Sequence, residues 1–319
     1  MVRGFLIVIL GSLCLASQNV LLRVIFSESS ILGQFEWGGL IPATAANSLL
    51  ILQMRSLLIL PAMALLAFRL YPATGEVLDQ LRQKENRPLL GYALAGSSLL
   101  FVALVLLFTA IASIPAGVAT VLFFIHPAFT GLLSWKVFGS RPSVLRGIVT
   151  VGVLVGSVLV VPQIGSPTGN VPLGVSAALG ASIAYSLQGI LAQLCFGQIH
   201  PVPYTLVNFG VMALLSTLFL PLVNFQVPAG VWPWLWGISI AAAVLTLLGQ
   251  LFYNIGIHMV RAASMAIVAV SNPVFTVVIA WILLQESLQS RQLAGVVLVV
   301  VSIIALGWDR QQSVEDQGS

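Results

Sequence analysis

Charge is scarce in this chain. Of 319 residues only 7% are Asp, Glu, Lys or Arg, while 59% are hydrophobic; a soluble domain carries roughly 25% charged residues. That shortage excludes a water-solvated surface and points to a polytopic membrane protein. Cysteine is nearly absent. Cys14 and Cys195 both sit in apolar runs, which excludes a disulfide framework and any metal-ligand spacing. The sequence also lacks a nucleotide-cradling glycine loop, a metal cluster and a nucleophile–base–acid constellation. We therefore expect no cofactor, no metal and no enzyme, and an ATP-driven pump would need a partner chain. The formal charge of +4 is too small for a nucleic-acid surface and fits loop charges that set membrane topology.

What the sequence has is long apolar runs. A spanning helix needs about 20 apolar residues, and ten segments qualify: 4–26, 46–68, 88–111, 114–138, 143–161, 172–196, 203–222, 232–256, 262–284 and 292–308. The first is too long for the h-region of a signal peptide, and Leu13 before Cys14 spoils a lipoprotein cleavage site, so it reads as a helix. With the N-terminus in the cytoplasm, Arg3, Arg69, Arg82, Lys84, Arg87, Lys136, Arg141, Arg146, Arg261 and Arg310 all fall inside, ten of the 13 basic residues. Arg23 and Arg291 then lie near outer helix ends, and Arg55 lies deep in the second span. Both termini are expected in the cytoplasm. Trp37, Trp232, Trp234, Trp236 and Trp308 fall at headgroup level. Residues 309–319 form a short, disordered polar tail.

One motif occurs twice. "HPAFTGLLSW" (His126–Trp135) and "NPVFTVVIAW" (Asn272–Trp281) share Pro-x-Phe-Thr and a tryptophan at an offset of 146 residues. In the ten-span topology they run in opposite directions. A second match, at an offset of 170, lays "GSLCLASQNVLLR" over "ASIAYSLQGILAQ", pairing Ser12 with Ser182 and Gln18 with Gln188. The pattern predicts an all-α integral membrane protein of two inverted five-helix repeats, 1–161 and 162–308, followed by the tail. Inverted repeats mark secondary transporters that bind near the midplane and work by alternating access.

The segment Leu251–Leu306, with Phe252–Tyr253, Pro273, Phe275, Glu286 and Gly295, resembles the last three spans of the EamA-type transporters of the drug/metabolite superfamily. Arg55 and "ASQNV" (Ala16–Val20) match recurrent features of that family's first half. The glutamate expected after the fourth span is missing, with Gly139–Ser140 in its place. The resemblance implies a ten-helix inverted-repeat transporter.

Polar residues inside spans are costly and are functional by default. His126 falls about 18 Å into its span at 1.5 Å per residue and titrates in the physiological range. It is a candidate for substrate binding and for proton coupling, against the plain alternative of a neutral histidine bonded to a neighbouring helix. Arg55 is a candidate for substrate binding, against a role as a hub for helix carbonyls. Gln18, Asn19, Gln188 and Asn272 are candidates for a midplane pocket, against helix–helix glue. Gln193, Gln250, Tyr253 and Asn254 lie nearer one face. Pro127 and Pro273 are expected to kink their helices, with gating as a further use. Glu286 is an exposed cap or interface acid or, alternatively, a coupling or gating group. Thr130 and Thr276 are expected to bond their own helix backbone. No acid sits at the depth of Arg55, so the sequence shows no ion-pair partner for it.

These features describe a secondary or exchange transporter in the plasma (inner) membrane for a small neutral or zwitterionic, amino-acid-like metabolite. Its partners would be that solute, membrane lipid and a coupling proton or second solute, in a monomer or homodimer that binds no nucleic acid. The alternatives are a flippase for a lipid or polyprenyl carrier and a membrane-embedded enzyme.

Overall fold

A computed structural model describes residues 2–138, 144–160, 170–259, 271–286 and 288–315. Twelve helices and one hairpin appear among them: α1 (Val2–Phe26), β1 (Glu28–Ile31), β2 (Phe35–Gly38), α2 (Ala45–Leu70), α3 (Thr74–Arg82), α4 (Arg87–Ser113), α5 (Ala116–Phe123), α6 (His126–Phe138), α7 (Val144–Val160), α8 (Val171–Phe196), α9 (Pro201–Phe219), α10 (Trp232–Met259), α11 (Ser271–Leu284) and α12 (Ser290–Glu315). Seven helical stretches are long and apolar enough to cross a bilayer. Val151–Val160, Ser271–Leu284 and Ser290–Ser302 are shorter apolar helices.

Helix starts follow local chemistry. The Thr44 hydroxyl accepts from the Asn47 N–H to cap α2, and the Asn170 side chain accepts from the Leu173 N–H to cap α8, each satisfying an orphan donor. Pro88, Pro172 and Pro201 sit in first turns, where a missing N–H costs nothing. Ile114, just before Pro115, is held extended and ends α4, because a residue preceding proline avoids the helical region.

The fourth span is broken rather than bent. α5 stops at Phe123 and α6 restarts at His126. Pro127 has no N–H for the bond that would join the two, and in the broken helix it becomes a first-turn proline. Pro273 lies on α11 two residues after its first described residue, Ser271. The run before it, with Arg261 and the small residues of 262–269, lies outside the described residues, as do Gly139 and Ser140.

Helix α1 packs on α10 and α11, and α8 packs on α4, α5 and α6. Helix α2 packs on α9 and α10, α9 also packs on α4, and α7 packs on α12. Two glycines let α7 and α12 touch backbone to backbone: a Cβ on Gly295 would stand 2.6 Å from the Gly156 carbonyl oxygen. The core is densest along α4 and α5, where Phe108, Ile111, Ile114, Val118 and Leu122 are fully buried. Leu154, Val158, Leu214 and Leu218 point outward, as a lipid-facing surface requires.

Three features depart from the sequence expectation. The segment after α1 forms a β-hairpin with a three-residue loop, 32–34, in which Leu32 and Gly33 are both at positive φ and the Gln34 N–H donates to the Ile31 carbonyl. Leu32 N–H donates to the Leu283 carbonyl at the end of α11. The loop after α2 contains α3, an amphipathic helix that buries Leu81. Helix α12 continues to Glu315 through Arg and Gln residues that favour helix, where a disordered tail is expected from 309.

Candidate functional site

Gln18 and Asn19 project from α1, Arg55 from α2 and Thr246 from α10, and hydrogen bonds join the four. The Arg55 Nη2 donates to the Thr246 hydroxyl. That hydroxyl has the Ala242 carbonyl at 2.7 Å and Gln18 Oε1 at 3.1 Å, and its single proton serves only one of them. Gln18 also bonds Asn19 at 3.1 Å. The Arg55 guanidinium carbon lies 4.8 Å from the centroid of the Phe108 ring, a cation–π contact. Arg55 is only 5% exposed, and its Nε and Nη1 have no hydrogen-bond partner among the described residues. It starts about 15 Å along α2 from the hairpin end, at 1.5 Å per residue.

His126 stands at the α5–α6 break inside an aromatic cage. Ring centroids of Tyr185, Phe123 and Phe124 lie 4.7, 5.2 and 5.5 Å away. Its carbonyl oxygen, in the first turn of α6, accepts from the Thr130 hydroxyl at 2.8 Å and lies 2.9 Å from the Ser186 hydroxyl on α8, which also has the Ser182 carbonyl at 2.8 Å. In the second copy of the motif the Thr276 hydroxyl donates to the Asn272 carbonyl at 2.9 Å, so both threonines bond their own helix, as expected. Asn272 is 4% exposed, and its Oδ1 has no partner among the described residues.

Gln188, one turn beyond Tyr185 on α8, is buried and faces the Tyr204 hydroxyl of α9. Gly96 on α4 makes room there: a Cβ at that position would stand 2.8 Å from the Tyr204 hydroxyl oxygen. Beside it the Ser97 hydroxyl lies 2.7 Å from Asn208 Oδ1 and 2.7 Å from the Ala93 carbonyl.

The sequence candidates thus fall into separate groups. Gln18, Asn19 and Arg55 share one network, His126 of α6 packs against Tyr185 of α8, the helix that carries Gln188, and Asn272 sits on α11 with no hydrogen bond to either group among the described residues. Side chains of Tyr253 and Asn254 lie outside the described residues.

Glu286 is an interface acid rather than an exposed cap: its carboxylate oxygen Oε1 accepts from Arg23 Nε at 2.9 Å, and Oε2 accepts from the Ala116 N–H at 3.1 Å. Arg23 Nη1 donates in turn to the carbonyls of Ile111 and Ala112, both at 3.0 Å. The ion pair is partly buried and forms at a helix end. Arg23, Thr246, Phe108, Tyr185 and Asn208 were not legible as partners. The signal for Arg23 was that it and Glu286 close spans at the same membrane face.

This arrangement of apolar spanning helices around buried polar networks is that of a multi-pass integral membrane protein of the transporter type. The EamA-like transporter family model matches residues 2–161 and 172–308, and the chain belongs to that family, within the drug/metabolite transporter superfamily. It is 39% identical over 311 residues to the uncharacterized transporter sll1319 of Synechocystis, covering 96% of this chain and 94% of that protein. It is 30% identical over 207 residues to the pseudopaline exporter CntI of Pseudomonas aeruginosa, covering 64% of this chain and 70% of the exporter. A solved crystal structure aligns with a TM-score of 0.53 at 17% identity over 92% of this chain and 96% of that one, a likeness of fold alone.

Proposed function

We propose that this chain is a ten-span secondary or exchange transporter that moves a small neutral or zwitterionic organic metabolite across the plasma (inner) membrane by alternating access. Its units are two inverted repeats, 1–161 and 162–308, with both termini cytoplasmic.

The observation that carries this reading is a mirrored pattern of packing. Exchange each helix of the first half for its counterpart in the second: α1 for α8, α2 for α9, α4 for α10, α5–α6 for α11, α7 for α12. The contact of α1 with α10 then becomes that of α8 with α4. The contact of α1 with α11 becomes that of α8 with α5 and α6, and that of α2 with α10 becomes that of α9 with α4. The polar contacts obey the same exchange. Arg55 of α2 meets Thr246, and Asn208 of α9 meets Ser97; both hydroxyls lie 2.7 Å from the carbonyl four residues back. Two halves that reuse one set of contacts in opposite senses supply the two packings that rocking about a central site requires.

Substrate contacts are assigned to Gln18, Asn19, Arg55, His126, Gln188 and Asn272, and Pro127 and Pro273 are assigned as kinks that serve gating. His126 is the coupling candidate if a proton drives transport; Glu286, with both oxygens engaged, holds helix ends together instead. Proteoliposomes screened with radiolabelled small metabolites test the reading. Saturable uptake that accelerates when the trans side is loaded supports it. Lipid scrambling without solute flux would overturn it.

A further inference from the structure

Arg55 presents an unbalanced account of charge. Arg23 and Arg55 are the charged side chains buried among the described residues. Arg23 is neutralised by Glu286, whereas Arg55 faces a hydroxyl and a phenyl ring. A buried charge without a counter-charge is strongly unfavourable, and proteins retain one where something neutralises it. A guanidinium carries five N–H donors in a planar fork. Thr246 takes one, on Nη2. The other Nη2 proton is parallel either to the Nε–H or to an Nη1–H, and both of those nitrogens lack partners among the described residues. Whichever proton Thr246 uses, one edge of two parallel donors remains. That edge matches the two oxygens of a carboxylate.

We infer that Arg55 is the docking point for a carboxylate of the transported solute, and that this carboxylate, rather than an amine, is the group recognised. The inference rests on the transporter reading above and narrows its solute class. Gln18 and Asn19, one bond away through Thr246, are amides that turn to suit the rest of the solute. For an ammonium group the buried described side chains offer neutral acceptors only, Asn272 Oδ1 among them. A single cation suits a single carboxylate, such as a zwitterion carries; a phosphate would call for more positive charge than Arg55 supplies. The mirrored position holds the neutral Asn208, so the described residues hold one such anion station.

The test is competition for binding to the purified full-length protein in lipid nanodiscs, with radiolabelled phenylacetate as the probe. Phenylacetate should bind saturably. Phenylacetamide should compete at least about tenfold more weakly, consistent with the loss of charge-assisted hydrogen bonds. Phenylalanine should compete no better than phenylacetate, and phenethylamine and phenyl phosphate should compete poorly. Arg55→Lys, which keeps the charge but loses the fork, should weaken phenylacetate about tenfold, and Arg55→Gln should erase the preference for acid over amide. The ligand series needs no variant, so misfolding of a variant leaves the test intact. Equal competition by acid and amide would overturn the proposal. So would stronger competition by phenethylamine or phenyl phosphate, a preference that survives Arg55→Gln, or no binding of any probe. Reconstitution separates the two readings. Acid-selective binding without flux sinks the transporter and leaves the site; flux indifferent to acid or amide does the reverse.

Discussion

Arg23 and Glu286 are 263 residues apart in the chain and 2.9 Å apart in space. The pair ties the end of α1 to the α11–α12 junction, and its remaining bonds reach the end of α4 and the start of α5. It therefore fastens both halves of the molecule at the hairpin face. Removing one partner strands the other charge in a largely dry site, which costs roughly 3–5 kcal/mol when burial is complete. Glu286→Gln and Arg23→Gln should each lower the midpoint of thermal unfolding in detergent, and the double variant should lose less than the two losses combined. Additive losses would show that the pair is not coupled.

The α7–α12 contact makes a second prediction. Side chains cannot enter where Gly156 and Gly295 meet. Gly295→Val should force the helices apart at a cost of about 1–3 kcal/mol, while Gly237→Val, at an open position on α10, should cost little. Detergent thermostability of both variants measures the difference.

Asn47 bridges two loops. Its Nδ2 donates to the carbonyls of Pro42 and Gln226, and its Oδ1 accepts from the Gln226 N–H. Asn47→Ala leaves these groups without partners and should cost about 1–3 kcal/mol. Hydrogen exchange should rise in 40–44 and 224–228, the segments it joins; unchanged exchange there would contradict the assignment.

His126→Gln tests coupling. Glutamine keeps a hydrogen-bonding side chain and leaves the backbone contacts with Ser186 and Thr130 available, but it does not titrate. If His126 carries the coupling proton, the variant should bind solute yet lose its response to an imposed proton gradient in proteoliposomes. Uptake that still follows the gradient removes His126 from that role.

The apolar runs made most of the helices legible, because length and composition alone decide which segments can cross a bilayer. The doubled Pro-x-Phe-Thr motif also signalled the helix break, since proline acts through its own missing N–H and needs no distant partner. The bonds of Thr130 and Thr276 were readable for the same reason: the acceptor lies four residues away. Distant pairs were another matter. Nothing local tells Arg23 that its partner is Glu286, or Arg55 that Thr246 will take one of its protons. Arg23 read as a topological charge because helix ends commonly carry one. Thr246 passed unnoticed because a lone threonine in an apolar helix usually bonds its own backbone, which it also does here. The β-hairpin was hidden because its turn depends on positive φ at Leu32, a residue type that gives no warning of it.

That hairpin lies as a strap across the seam. It leaves α1 and leads to α2, yet Leu32 bonds Leu283 of α11, and Trp37 meets Trp234 of α10 edge to face at 5.6 Å between ring centroids. Any motion that parts the helices at this face must stretch or peel the strap. The two indoles would then separate, and their ultraviolet emission would change with no label attached. The molecule thus carries its own optical gauge of opening, readable by stopped flow in the unmodified chain.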